Sequence, residues 1–290
     1  NYIPKKGEIL FDSSDKYLAI AEKNGQEFCL ILEKSYLWKE KVDGEILQIH
    51  VNKNGYVVLV TTDTTYKSII TVYSQEGKLL LKNYLSSTRI IDVEISNDNN
   101  YVAFAELDSS GTFIKSNIKI ISVEKAVSKP NEAIIYTCEF ENSKMITKIK
   151  YQDKNVLVCM YDSGIDVIKE EEKNNIFSID KNITFASANL NNNVAYISEE
   201  TNGLFNYNSL LTIHNINTNY HNTYNFDEVV KEMYTYGNII GINVGTEIYF
   251  VNTSCMLLKK YTSNQEITNV LLSNNIAIII YKDRIEIIDL

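Results

Sequence analysis

One pattern recurs seven times along this chain and leaves little freedom in how it folds. A short apolar stretch meets a turn of Asn, Asp, Ser or Gly, and a second, more strongly apolar stretch follows. The clearest copies are Ile9-Leu10-Phe11 with Tyr17-Leu18-Ala19-Ile20-Ala21, Leu47-Gln48-Ile49-His50-Val51 with Tyr56-Val57-Val58-Leu59-Val60, and Ile91-Asp92-Val93-Glu94-Ile95 with Tyr101-Val102-Ala103-Phe104-Ala105. Four weaker copies turn at Gln152-Asp153-Lys154, Asn191-Asn192-Asn193, Tyr236-Gly237-Asn238 and Ser273-Asn274-Asn275. The spacing averages roughly 43 residues, the length of a four-stranded propeller blade.

The remainder of each unit supplies the other strands. Hairpin signals such as Asn24-Gly25, Ser163-Gly164 and Gly245-Thr246 lead into third strands near 28–32, 68–73, 118–123, 165–168, 210–214, 248–251 and 285–288. More polar fourth strands follow at 78–83, 133–140 and 256–261. Apolarity thus falls from second to fourth strand, as it must when inner strands are sandwiched between neighbouring blades and outer ones meet water. The reading is an all-β, seven-bladed β-propeller of four-stranded antiparallel blades, one domain over 1–290. Its blades span about 7–43, 44–87, 88–141, 142–180, 181–226, 227–264 and 265–290. The last unit ends after three strands. An N-terminal strand over 2–6 is expected to complete it by pairing with 284–290; Pro4 suits such an edge position. The competing architectures are a β-solenoid and a two-domain β protein. Residues 227–233 also fit one helical turn, but the repeat requires a strand there.

Composition narrows the function classes. The net charge of −9 argues against nucleic acid and anionic lipid, both of which demand clustered cations. No run of about 18 apolar residues exists, so this segment inserts into no membrane by itself. The chain begins at Asn1, consistent with removal of an upstream signal or anchor. Cys29, Cys138, Cys159 and Cys255 are far apart and read as free thiols within strands, though one disulfide stays open.

The turn-plus-strand segments Ser14-Asp15-Lys16-Tyr17-Leu18-Ala19-Ile20 and Asn97-Asp98-Asn99-Asn100-Tyr101-Val102-Ala103 resemble those of WD40-like and quinoprotein-like propellers. The whole chain resembles an uncharacterised family of membrane-anchored propeller proteins from clostridia and other Firmicutes. That resemblance implies the fold and an extracytoplasmic site tethered by an N-terminal anchor. It implies no activity, and the Gly-His and Trp-Asp pairs of WD40 blades are absent.

Catalytic signals are sparse. His50, His214 and His221 form no metal-ligand spacing, and no Walker loop, dinucleotide fingerprint or Gly-x-Ser-x-Gly elbow occurs. His50 falls in an inner strand, while His214 and His221 fall in adjacent strands of one blade and face each other if the hairpin is regular. The Asp98 turn mimics half a calcium loop but lacks the closing Glu. The single tryptophan, Trp38, is too few for a quinone-binding propeller. No catalytic residue, metal or cofactor is therefore expected.

Propeller function usually resides in loops at one face. Two second-to-third-strand connections are long and carry apolar residues: 107–116 with Phe113, and 199–209 with Leu204, Phe205 and Tyr207. Flanking a short fourth-blade turn, they would frame a groove. The expectation is a monomeric, non-enzymatic module that binds a protein segment or a saccharide there. The alternatives are a hydrolase or lyase using channel-facing carboxylates, and a structural spacer.

Overall fold

The computed structural model describes residues 7–140, 144–152, 155–169, 172–178, 183–202, 206–218, 220–273 and 275–290. Their strands group into seven antiparallel sheets in chain order. The first holds β1 (Ile9–Ser14), β2 (Tyr17–Glu22), β3 (Glu27–Leu32) and β4 (Ser35–Lys41). The second holds β5 (Glu45–Val51), β6 (Val57–Thr62), β7 (Ser68–Tyr73) and β8 (Leu79–Leu85). The third holds β9 (Arg89–Ile95), β10 (Tyr101–Asp108), β11 (Lys115–Ser122) and β12 (Ile134–Glu139). The fourth holds β13 (Ile146–Tyr151), β14 (Leu157–Tyr161), β15 (Gly164–Lys169) and β16 (Glu172–Ser178). The fifth holds β17 (Ile183–Leu190), β18 (Asn193–Asn202), β19 (Asn206–Asn215) and β20 (His221–Phe226). The sixth holds β21 (Glu232–Tyr236), β22 (Ile239–Asn243), β23 (Glu247–Asn252) and β24 (Leu257–Thr262). The seventh has three described strands, β25 (Asn269–Leu272), β26 (Ile276–Ile280) and β27 (Ile285–Asp289). The strand expected over 2–6 lies outside the described residues.

The burial gradient has the predicted direction. Every residue of β14 and β22 is buried, whereas β4 and β24 are mostly exposed. Residues 227–231 are neither helix nor strand, and the strand of that unit starts at Glu232. A short helix, α1 (Val123–Ser128), was not anticipated; Ser122 caps it by accepting from the Lys125 N–H at 3.3 Å. Its Val123 and Ala126 pack with Leu81 and Leu85 of β8, so it covers the outer strand of the second sheet.

The chain packs as two compact units, 1–161 with 168–174, and 162–167 with 175–290. In the first, Ala19, Phe28 and Leu30 meet Ile46, Val57 and Leu59 between sheets one and two. Val58, Val60 and Ile70 meet Val93, Val102 and Phe104 between sheets two and three. In the second, Leu211 and Ile213 meet Ile240 and Ile242, and Phe250 meets Val270 and Ile279. Small or β-branched side chains on central strands let successive sheets approach closely.

Two β-bulges repeat. Between first and second strands the register skips Leu47, Ile91, Thr147 and Thr184 in sheets two to five. Between third and fourth strands it skips Leu37, Leu80, Ile135 and Leu258 in sheets one, two, three and six. A bulge raises local twist and re-aims the residues beyond it.

Polar side chains stitch the turns of the first unit. The Asn52 amide, 8% exposed, donates to the Ser96 carbonyl at 3.0 Å and to Asn99 Oδ1 at 2.6 Å. Its oxygen accepts from the Asn54 and Tyr56 N–H groups at 3.0 and 3.1 Å. Asn99 has a positive φ of 66°, which Asn adopts more readily than most residues. Replacing Asn52 with Ala removes these bonds and strands buried partners; urea unfolding should show a loss of about 2–4 kcal/mol. Asn100→Ala on the exposed side of the same region should cost under about 1 kcal/mol.

Candidate functional site

The first strands of sheets one to four place charged residues at equivalent positions. Asp12 lies opposite Ala19, His50 opposite Val58, Glu94 opposite Ala103 and Lys150 opposite Val158. The bulges at Leu47, Ile91 and Thr147 precede Gln48, Asp92 and Lys148, and set the phase of each strand beyond them. His50 Nδ1 stands 3.8 Å from Asp12 Oδ2, and its Nε2 stands 3.7 Å from Asp92 Oδ1. Lys150 Nζ donates to Glu94 Oε1 at 2.8 Å.

Each carboxylate here is already engaged. Asp12 accepts the Val51 N–H at 2.9 Å and Asp92 the Ile149 N–H at 2.8 Å, each from the first strand of the next sheet. Gln48 donates to the Ile91 carbonyl at 2.9 Å in the same manner. Burial pushes the Glu94 carboxyl above the usual carboxylate range, and the opposing pull of Lys150 and His50 does not cancel it. Burial alone would lower the Lys150 ammonium, but the charge and hydrogen bond of Glu94, with Asp12 and Asp92 beyond, raise it. The two nitrogens of one imidazole diverge, so Asp12, His50 and Asp92 do not converge on a single ion. Among the described residues no group of three or more His, Cys, Asp or Glu can hold a metal. The cluster is suited to bracing neighbouring strands.

The other sequence candidates are dispersed. Phe113 sits in the 109–114 connection between β10 and β11 and is 65% exposed, with Ile114 beside it at 49%. Leu204 and Phe205 lie outside the described residues, and Tyr207 is a strand residue opposite Thr201. The stretch expected as a loop over 199–209 is for the most part ladder, paired from Glu199↔Ser209 to Asn202↔Asn206. Phe113 and Tyr207 belong to different units.

His214 and His221 do face each other, with stacked rings 5.0 Å apart at 26°. Stacking points their lone pairs away from any shared ion. The Asp98 carboxylate accepts from Ser96 Oγ, the Asn100 N–H and both the Asn100 and Asn155 amides, which is turn chemistry. All four cysteines are free; three lie in strands, and Cys255 occupies a turn at φ 58°.

The fold resembles solved structures of low sequence identity. BamB from Moraxella catarrhalis aligns with a TM-score of 0.57 at 12% identity, over 98% of this chain and 84% of that one. Hydrazine synthase of Kuenenia stuttgartiensis aligns at 0.60 and 11%, over 100% and 99%. The WD40 domain of Neurospora crassa Pan2 aligns at 0.54 and 11%, over 93% and 84%. With the seven antiparallel sheets of the described residues, these likenesses point to a fold of the β-propeller class. Residues 8–290 match a family of unknown function (DUF5711), and the chain belongs to that family. No curated protein matches it. No described helix is long and apolar enough to cross a membrane.

Burial and the neighbouring His221 lower the His214 imidazole from 6.5 to about 4. Between those values the unfolded chain binds a proton that the folded one refuses, so stability falls as pH falls. The melting temperature should drop more steeply between pH 6.5 and 4.5 in the native protein than in a His214→Phe variant. Equal slopes would remove this role.

Proposed function

We propose that this chain is a monomeric, non-enzymatic interaction module, a closed seven-bladed propeller that binds a protein segment outside the cytoplasm. The observation that carries the binding role is the Phe113-Ile114 tip, apolar and exposed on a frame whose clustered charges are spent on neighbouring strands. Rigid aromatics with little support from their own chain are the anchors that interfaces favour. Affinity capture from an envelope fraction should lose its principal prey with Phe113→Ser while the melting temperature stays unchanged. An identical prey set would refute the assignment of that tip.

Closure is supported by what each terminal sheet leaves uncovered. Phe11 is 71% and Ile9 44% exposed on β1, while Ile285, Ile287 and Leu271 of the seventh sheet are 63%, 68% and 54% exposed. Patches this apolar on terminal sheets signal a missing covering surface. In a closed ring, Phe11→Lys or Ile287→Glu should each cost about 2–4 kcal/mol; in an open one, both should be near neutral. The extracytoplasmic location is supported by the resemblance to anchored proteins. Protease accessibility of the full-length protein in intact cells tests it.

One observation favours the enzymatic alternative: the raised Glu94 carboxyl in a partly open cluster. Its salt bridge to Lys150 weighs against a free acid.

A further inference from the structure

The loop end that presents Phe113 also carries a depression of about 400 Å³ lined by Gln26, Gly44, Glu45, Thr62, Asp63 and Thr64. These residues come from the β2–β3 connection, the link from β4 to β5, and the β6–β7 connection, all within the first unit. We infer that this depression binds a neutral saccharide, with the Tyr66–Tyr84 pair, joined to the lining through the Tyr66 backbone, as the stacking surface.

The lining contains no apolar side chain, which disfavours a peptide seeking pockets for its residues. It does contain polar groups open to a ligand. The side chains of Gln26, Glu45 and Thr64 are exposed and make no hydrogen bond among the described residues, and neither does Asp63 Oδ2. An amide, a hydroxyl and carboxylate oxygens together meet both the donor and the acceptor needs of sugar hydroxyls.

The frame is rigid. Asp63 Oδ1 accepts the Thr65 and Tyr66 N–H groups at 2.7 Å each, and the Tyr66 carbonyl accepts from Thr62 Oγ1 at 3.1 Å and the Asp63 N–H at 3.2 Å. Gly44 holds φ +84°, and a Cβ there would come within 2.5 Å of the Thr62 carbonyl. Only glycine lets the β4–β5 link approach β6 this closely.

The aromatic pair is connected to the same turn. The Tyr66 and Tyr84 rings lie 4.7 Å apart at 46°, and Tyr84 is 48% exposed. Lys82 sits 5.4 Å from the centroid of Tyr84 and bonds Asp43, the neighbour of Gly44, at 3.4 Å. A sugar ring has an apolar C–H face that suits a tyrosine and an edge of hydroxyls that suits the depression. Glu45, Asp63 and Asp43, with the chain's net charge of −9, disfavour acidic saccharides.

The test uses cellohexaose, maltohexaose and chitohexaose as probes, with trigalacturonate as the acidic control, read by calorimetry and saturation-transfer NMR. At least one neutral probe should bind with a Kd of about 1 mM or tighter. Tyr84→Ala should weaken it by roughly fivefold to tenfold, Tyr84→Phe should retain most of it, and Glu45→Ala with Gln26→Ala should lower it further. Unchanged melting temperatures exclude misfolding as the cause. The inference is overturned if no neutral probe binds at about 10 mM, if trigalacturonate binds best, or if binding survives Tyr84→Ala and Glu45→Ala. Phe113→Ser should leave sugar binding intact, so failure of the protein-docking role and failure of this site are separable.

Discussion

Sheets that meet face to face through aliphatic side chains can slide, because apolar contact is non-directional. What fixes them here is a set of side-chain-to-backbone hydrogen bonds that each run from one sheet to the next. Asp12 holds Val51, Gln48 holds Ile91, and Asp92 holds Ile149, always first strand to first strand. At the turns, Asn52 and Asn54 hold the 96–99 segment, and Asn97 reaches the Gln152 carbonyl. Further out, the Trp38 indole donates to the Gln75 carbonyl at 2.7 Å and packs on Gly77. The sheets of the first unit are thus pinned at three radii by directional bonds laid over a continuous apolar interior.

The strands were legible because burial imposes period and length on the sequence. The first-strand segment 47–51, the second-strand segment 17–21 and the third-strand segment 68–73 each fall within or match a described strand. The bulges were harder to see, yet they leave a trace. Leu79-Leu80-Leu81 and Ile134-Ile135-Tyr136 break the period-two alternation of otherwise polar outer strands where the register slips by one. The α1 helix left only a cap, Ser122, and Pro130 beyond it, a signal too short to outweigh the strand repeat.

The candidate site was far less legible. Loop length drew attention to 199–209, but alternation of Glu199, Thr201, Tyr207 and Ser209 permits a ladder as readily as a loop, and the ladder prevails. The first-strand charges carry no local signal of a shared cluster, since their partners lie 39, 57 and 56 residues apart and only the stacking of sheets unites them. The polar depression escaped for the opposite reason. Its residues come from short connections, and nothing local distinguishes Gln26 or Thr64 from an ordinary turn residue. Gly44 was the one available clue, a glycine between two strands where backbone must pass close to backbone.

The outer-strand bulges have a consequence for how such molecules behave in a crowd. A rim made of exposed sheet edges offers every neighbour a template for continued pairing. In sheets one, two, three and six the slipped residue puts the free N–H and C=O groups out of step, so a second molecule laid alongside finds no long run of matched bonds. The edge of β20 keeps an unbroken register. That margin is where crowding would first join one molecule to another, while the bulged edges resist such pairing.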